Sequence, residues 1–595
     1  MPPTRIGNSM TDRMTSEPSK AEPGDIVLEV KNLQTWFDTG RGGVLKAVDG
    51  IDLTLRRGRT LCVVGESGSG KSITARSILN IVPKPGRIVG GEILLHGAGP
   101  NGAPLNLAAL DPKGRQIRAI RGRDIGMIFQ EPMSSLSPVH TIGQQIVEAI
   151  RLHRPMSKAD ARARAIEMLA QVKIPRPEQS FDSYPFEFSG GMRQRAMTAM
   201  ALVCEPKLLI ADEPTTALDV TTQAEILDLM KGLQQLHGMA LMFITHDMGV
   251  VAEIADDVAV MYHGKVVEHG PVNDIFFAPK HAYTKQLLNS VLALEQRSHL
   301  AGKSVKANQD DVILDVSNLT MSFGGRQPFF GRKLDGPVKA LDGVSFALKR
   351  GETLGIVGES GSGKTTLGRC IMRILDPTSG QLIYKGRNAP AVDLAPLSRS
   401  AVKPFWRDMR MIFQDPFSSL NPRMTVFQIV AEPLRNHGIE SGDELHERVA
   451  ELLQRVGLPR EAMSRYPHAF SGGQRQRIGI ARAIALKPQL IVADEATSAL
   501  DVSLRAQVLD LLLDIGQELD MSYVFISHDI GVIRYMCDRV AVMHRGRIVE
   551  LGETQSVCDN PQHAYTQSLI SAIPKPDPRL RGRTSRIRYI SESVS

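Results

Sequence analysis

Two passages of alternating apolar and polar residues, Ile26 to Leu33 and Val312 to Leu319, open two long stretches in which one succession of patterns is repeated. Alternation with a period of two predicts a half-buried strand. Each passage leads through a basic turn to a short apolar run, Leu61-Cys62-Val63-Val64 or Leu354-Gly355-Ile356-Val357, that stops at a glycine, Gly65 or Gly358. Residues Ser72 to Ile81 have helical character, so the predicted order is strand, glycine loop, helix. Further along, Leu208 to Ala211 runs into Asp212-Glu213, and Leu241 to Ile244 runs into Thr245-His246. Continuous apolar runs of this length predict parallel strands buried on both faces. Helix formers dominate Lys158 to Val172 and Leu445 to Val456, which predicts a helical subdomain in each half. The polar stretch from Ala301 to Asp311 has no periodicity and reads as a linker.

The later landmarks keep step as well: Ser189 and His246 are separated by the same number of residues as Ser471 and His528. Such agreement points to a duplicated domain. The expected organisation is a leader over 1–25, a first domain over 26–295, a linker over 296–311, a second domain over 312–575 and a basic tail over 576–595. A chain of 595 residues with 42% hydrophobic content can bury several cores. No apolar run approaches the roughly 20 residues needed to span a bilayer; Ala240 to Met261, for example, is interrupted by His246, Asp247, Glu253, Asp256 and Asp257. The leader is polar and lacks the apolar segment of a secretory signal, so it is expected to be disordered. Five scattered cysteines without a C-x-x-C pair argue against a zinc site or disulfide framework and for a reducing compartment. The net charge of +7 is modest, and the basic tail around Arg579, Arg581, Arg583, Arg586 and Arg588 reads as a solvated segment.

The chemistry begins at Gly65-Glu66-Ser67-Gly68-Ser69-Gly70-Lys71-Ser72, which recurs as Gly358-Glu359-Ser360-Gly361-Ser362-Gly363-Lys364-Thr365. Small residues let successive backbone N–H groups surround phosphate oxygens, the following helix start favours an anion, and Lys71 or Lys364 neutralises charge. Ser72 and Thr365 are suited to supply a hydroxyl to Mg²⁺. A lone Asp-Glu pair is usually a solvated strand end. After a glycine loop and an apolar strand in both halves, Asp212 and Asp494 are instead expected to hold Mg²⁺, and Glu213 and Glu495 to face an attacking water. At Phe188-Ser189-Gly190-Gly191-Met192-Arg193 and Phe470-Ser471-Gly472-Gly473-Gln474-Arg475, a serine with paired glycines opens a helix predicted over Arg195 to Val203 or Arg477 to Leu486.

This Ser-Gly-Gly segment closely resembles the signature motif of ATP-binding cassette (ABC) proteins, and with the glycine loops, acidic pairs and histidines the resemblance covers nearly the whole chain. It implies an α/β fold of two tandem ABC-type P-loop domains, each with a mixed or parallel sheet core and a helical subdomain. It also implies composite ATP sites, in which the loop of one half and Ser189, Gly190 and Gly191, or Ser471, Gly472, Gly473 and Gln474, of the other enclose each ATP. By position Gln130 and Gln414 resemble the Q-loop residues that sense Mg²⁺ and the nucleophilic water, Asp219 and Asp501 the D-loop, and His246 and His528 the switch histidine. Phe37 and Phe323 are candidates for an adenine-stacking shelf, with core packing as the other reading. Met192 departs from the signature glutamine and Ala496 from the proline that follows Glu213. The serine and glycines are retained, so both sites are expected to hydrolyse ATP.

Gln130 to Pro138, Gln414 to Pro422 and the segments His281-Ala282-Tyr283-Thr284 and His563-Ala564-Tyr565-Thr566 resemble the ATPases of bacterial dipeptide, oligopeptide and nickel importers. The basic insertion Phe329-Phe330-Gly331-Arg332-Lys333 is similar to one found in one of their two subunits. The chain thus looks like both ATPase subunits of such an importer fused, as in glutathione and peptide importers. That resemblance implies ATP and Mg²⁺ as cofactors, two separate permease subunits docking after Gln130 and Gln414, a soluble substrate-binding protein and no nucleic-acid partner. It implies a peripheral position on the cytoplasmic face of the bacterial inner membrane. Many relatives carry clustered cysteines after the tail motif; none stand here, so no iron–sulfur cluster is expected. A twin-cassette ATPase acting on ribosomes or DNA is the rival. Its relatives usually carry a long charged linker or zinc-binding cysteine pairs, and neither feature is seen here.

Overall fold

The computed structural model of the chain describes residues 26–40, 43–130, 135–216, 218–296, 311–324, 338–387, 389–415, 419–438, 442–498, 500–583, 586, 587 and 589. The leader, the linker positions 301–310, the insertion Phe329 to Lys333, the positions immediately after Gln130 and shortly after Gln414, and Arg588 lie outside them.

In the first half, six strands are ordered Lys265–Pro271, Asp257–Tyr262, Thr60–Val64, Ala240–Ile244, Leu208–Asp212 and Ile125–Ile128. All neighbours are parallel except the edge strand Lys265–Pro271. The second half repeats the order with Arg547–Glu553, Arg539–His544, Thr353–Val357, Ser522–Ile526, Leu490–Asp494 and Met409–Ile412. The apolar runs are continuous because both faces are covered. Leu61 and Val63 pack into one core and Cys62 and Val64 into another on the opposite face. Leu208 and Ile210 divide in the same way from Leu209 and Ala211. Side chains alternate across a strand, so a two-sided sheet demands apolar residues at every position.

One of these cores lies under a second sheet that periodicity did not foretell. Strand Ile26–Asp38 pairs antiparallel with Val44–Arg56 and Gly86–Leu95, and the second half contains its counterpart. The predicted strand stopped at Leu33 because the alternation breaks there. Asn32 has φ of 46° and its N–H donates to Asp52 Oδ1 at 2.9 Å, and the pairing register shifts on both sides of Leu33. A bulge of this kind exchanges the faces, and buried Thr35 resumes the inward phase.

On the other side of the central sheet stands the helical subdomain. Helices Ile142–His153 and Lys158–Gln171 start at Thr141 and Ser157, whose hydroxyls accept the N–H groups of Gln144 and Asp160. Both pack on Gly190–Leu202, which begins earlier than predicted because Ser189 caps it and draws two glycines into its first turn. Among the described residues no helix is long and apolar enough to cross a membrane.

Each half ends in a helix seated on the other half. Ala282–Gln296 lies against Val502–Leu519 and Ile530–Met536, and Ala564–Ser571 lies against Val220–His237. Val291 packs against apolar cores of both halves. The tail corrects the expectation of a solvated segment. Arg581 donates to Ala255 O at 2.9 Å and to Ile254 O at 3.3 Å, carbonyls at the end of helix Met248–Ile254. Arg586 donates to Ala224 O at 2.9 Å and forms ion pairs with Asp228 and Glu253. Arg581 thus stands at a helix C-terminus, where carbonyls lack intrahelical partners and a cation is favoured. Charge counting along the sequence cannot reveal acceptors so far away in the chain.

Candidate active site

Parallel strands share a direction, so their C-terminal ends converge on one edge of the sheet. At that edge the first half places the glycine loop after Val64, Gln130 shortly after Ile128, Asp212-Glu213 after Ala211, and Thr245-His246 after Ile244. The second half does the same with its loop, Gln414, Asp494-Glu495 and Ser527-His528.

Glycine is obligatory at Gly70. It has φ of 104°, and a Cβ there would stand 2.2 Å from Ala47 O. Gly363 repeats this at φ 103° and 2.5 Å from Ala340 O. Each opens a helix, at Lys71 or Lys364. The Lys71 ammonium donates to Gly65 O at 2.7 Å and Glu66 O at 2.9 Å, and Lys364 donates likewise to Gly358 O and Glu359 O at 2.8 Å. Burial lowers both lysine pKa values, against which Glu213 and Glu495 act as the leading counter-charges. Ser69 Oγ and Ser362 Oγ are buried without a hydrogen-bond partner among the described residues. A buried, unpaired hydroxyl within a loop of backbone donors at a helix start fits a polyphosphate.

Ser72 Oγ donates to Asp212 Oδ1 at 2.9 Å, and Thr365 Oγ1 to Asp494 Oδ1 at 3.1 Å. Burial pushes both aspartates up, and the hydroxyl bond offsets only part of this. A buried carboxylate short of positive charge, beside a hydroxyl, fits a divalent cation.

Glu213 and Glu495 adopt φ of 47° and 46°, a left-handed conformation costing an ordinary residue about 1–2 kcal/mol. Backbone bonds to Ile244 O at 3.0 Å and Ile526 O at 2.9 Å hold them there. In return the carboxylates reach side chains from neighbouring strand ends. Gln130 Nε2 donates to Glu213 Oε2 at 2.9 Å, Thr216 Oγ1 donates to the same oxygen at 3.0 Å, and His246 Nδ1 lies 3.3 Å from Oε1. Gln414 Nε2 donates to Glu495 Oε2 at 2.7 Å and His528 Nδ1 lies 3.2 Å from Oε1. Burial alone would raise the Glu213 pKa, but the His246 bond and charge, Thr216 and Lys71 prevail and bring it to about 2. Glu495 is lowered by the same balance. Burial opposes protonation of His528, yet the bond and charge of Glu495 raise it.

The two edges face each other across a seam. Ser67 donates from N at 3.1 Å and from Oγ at 3.0 Å to Asp501 Oδ1 of the opposite half. In the reciprocal place Thr221 Oγ1 stands 2.6 Å from Glu359 Oε1 and 2.7 Å from Asp219 Oδ1. The duplicates therefore differ: Asp219 caps its own helix through Thr222 N, whereas Asp501 makes no side-chain cap and is spent on Ser67. Burial raises Glu359, and its approach to Asp219 adds to the effect.

The Ser-Gly-Gly segments adjoin this seam. A Cβ on Gly191 would lie 2.6 Å from Thr222 Cγ2, and one on Gly473 3.1 Å from Leu504 Cδ1, so each helix start packs on the D-loop helix of its own half. Ser471 and Gln474 exchange bonds, N–H to Oε1 at 3.1 Å and N–H to Oγ at 3.3 Å. Ser189 receives the Met192 N–H at 3.3 Å, but a methionine cannot return the bond. The Ser471 amide is therefore expected to exchange with solvent more slowly than the Ser189 amide, and Gln474→Met to bring the two level. Equal rates in the wild type, measured residue by residue, would show that the reciprocal bond is not formed.

Phe37 is half-buried, with its ring against Gly86, where an added Cβ would come within 2.5 Å of Cε1; Phe323 is 44% exposed. Neither is an enclosed core residue. Sequence reasoning missed Thr216, and it missed that Tyr283 and Tyr565 reach the loops: their hydroxyls accept the Glu66 and Glu359 N–H groups at 2.9 and 3.0 Å. The recurrence of His-Ala-Tyr-Thr in both halves was the available signal.

A family model described as "ABC transporter" matches residues 48–216 and 341–498, and one described as "Oligopeptide/dipeptide transporter, C-terminal region" matches 267–313 and 549–594. Among characterised proteins, the glutathione import ATP-binding protein GsiA of Salmonella paratyphi A is 48% identical over 94% of this chain and 91% of its own. GsiA of Salmonella typhimurium has the same identity and coverage, and that of Escherichia coli K12 is 46% identical at the same coverage.

Proposed function

Since the chain belongs to the ABC transporter family, as an ATPase with two cassettes on one polypeptide, we propose that it energises uptake of small peptides, glutathione-type tripeptides among them, through two separate permease subunits. A soluble binding protein delivers the cargo, and the chain works at the cytoplasmic face of the cell membrane. The observation that carries the coupling is the seam, where each glycine loop is hydrogen-bonded to the D-loop region of the other half.

ATP is the substrate that supplies the phosphoanhydride, and a bound Mg²⁺ would neutralise part of its phosphate charge. The chain contributes the rest in duplicate. The backbone donors of the glycine loops other than Glu66 and Glu359, with Lys71 and Lys364, hold the phosphates, and Ser189 and Ser471 close them from across the seam. Ser72 with Asp212, and Thr365 with Asp494, would hold the cation, and Gln130 and Gln414 are the further candidate ligands. Glu213 and Glu495 are ionised acceptors that orient the attacking water. With its pKa held at about 2, the Glu213 carboxylate is a weak base, so its main work is positioning and charge. His246 and His528 keep those carboxylates in place and address the terminal phosphate. Phe37 and Phe323 lie at strand ends where adenine can stack. Closing the seam can drive a permease only if ATP binds the closed arrangement more tightly than the open one.

The test is reconstitution with the permease pair and uptake of labelled glutathione and dipeptides. ATP-dependent accumulation that vanishes without this chain supports the proposal. Copurified ribosomal RNA or DNA, with no uptake of either substrate, overturns it.

A further inference from the structure

The carboxy-terminal segments of both halves reach the nucleotide loops, and nothing in the hydrolytic machinery described above uses them. In the first half Glu268 accepts the N–H groups of Lys280 and His281 at 2.7 and 3.0 Å, and His281 Nδ1 accepts that of Tyr283 at 3.2 Å. The Tyr283 ring stacks on Tyr262 at 4.3 Å, and its hydroxyl takes the Glu66 N–H at 2.9 Å. The second half repeats every link, from Glu550 through His563 to Tyr565, which stacks on His544 at 4.2 Å and takes the Glu359 N–H at 3.0 Å. A side chain fixed at its backbone, its ring and its hydroxyl is a rigid peg. The peg also stands on a helix seated against the opposite half.

We propose that Tyr283 and Tyr565 are positioning residues for nucleotide binding, each pinning the second residue of its glycine loop from outside the cradle and thereby linking loop geometry to the docking of the two halves. The proposal rests on the reading that these loops hold ATP. A pinned loop presents its remaining N–H groups to phosphate without ordering cost, whereas a loop free at its first turn must be ordered as ligand binds. The effect belongs in affinity rather than in the chemical step, because neither hydroxyl is bonded to Glu213 or Glu495.

The second peg has an extra support. Tyr589 from the tail meets Tyr565 edge-on at 5.6 Å and His544 at 5.4 Å, and its N–H donates to Ser568 Oγ at 3.3 Å. The same tail is anchored on the first half through Arg581 and Arg586. At the second loop the linkage thus runs through a ring contact as well as a hydroxyl.

In the full-length chain, Tyr283→Phe and Tyr565→Phe keep the ring and remove the acceptor. Each is expected to weaken binding of a fluorescent ATP analogue, and to raise KM for ATP, by about 5- to 10-fold at its own site, with kcat changed less than about twofold and little change in melting temperature. Without nucleotide, exchange of the Glu66 amide in the first variant and of the Glu359 amide in the second should accelerate about tenfold. Tyr589→Ala should accelerate Glu359 and leave Glu66 unchanged, and Tyr589→Phe, which keeps the ring, should restore it. Unchanged amide exchange and unchanged nucleotide affinity in both hydroxyl-deleted variants would overturn the proposal. If the wild-type chain binds no nucleotide, the ATP reading falls, and unchanged exchange at Glu66 and Glu359 would then overturn the pinning by itself.

Discussion

Replacing Glu213 and Glu495 together by glutamine is expected to lower ATP hydrolysis by about 10²–10⁴-fold while ATP stays bound. Glutamine preserves volume and can still meet Gln130 and Thr216, but it lacks the negative charge that both His246 and Lys71 answer in the first half. Without that charge, water at the sheet edge loses its strongest acceptor and the developing positive charge its stabiliser. The expected signature is an ATP-filled protein that releases phosphate slowly, seen by comparing retained nucleotide with phosphate release. Because Asp501 and Asp219 are used differently across the seam, the single variants are expected to differ from one another. A double variant that releases phosphate at the wild-type rate would remove both glutamates from the reaction.

Gly70→Ala should nearly abolish nucleotide binding in the first half, by about 100-fold or more, since a Cβ forced against backbone costs about 1–3 kcal/mol and the left-handed conformation about 1–2 more. The obstacle is Ala47 O at 2.2 Å, a backbone atom that belongs to the antiparallel sheet and cannot turn aside. Gly68→Ala is the control. Its φ of 80° also strains a side chain, yet nothing lies within 4 Å of the new atom, so a loss nearer tenfold is expected. Titration with a fluorescent nucleotide, alongside melting curves, separates lost binding from lost folding. A Gly70→Ala chain that folds and binds ATP like the wild type would show that the phosphates are held elsewhere.

The elements that carry chemistry were legible in the sequence because local pattern and chemistry coincide there. Leu208 to Ala211 had to be a buried strand, and the acids that follow had to emerge where parallel strands end. The chain shows both, with the strand running to Asp212. Helix Gly190–Leu202 starts ahead of the predicted Arg195 because the Ser189 cap outweighs the poor helix propensity of its glycines. What was not legible depends on partners far along the chain. Alternation fails at Leu33 because Asn32 turns left-handed to meet Asp52, which hides the antiparallel sheet. The tail looked solvated because the partners of Arg581 and Arg586, the carbonyls of Ala255 and Ala224 and the carboxylates of Asp256, Asp228 and Glu253, lie in the first half. Tyr283 looked like part of a family motif with no stated task, since its partner Glu66 lies at the other end of the first half.

The exchange of end helices has a consequence for how the polypeptide is made. When the first half emerges during translation, helix Ala282–Gln296 has only its own half's core to pack on, because Val502–Leu519, which covers its other flank, has yet to be synthesised. Val291 and its neighbours then wait with an apolar flank open, and domains that expose such surface before completion are prone to stick to one another. A prematurely terminated product should therefore be the aggregating species, and lengthening the chain should cure it.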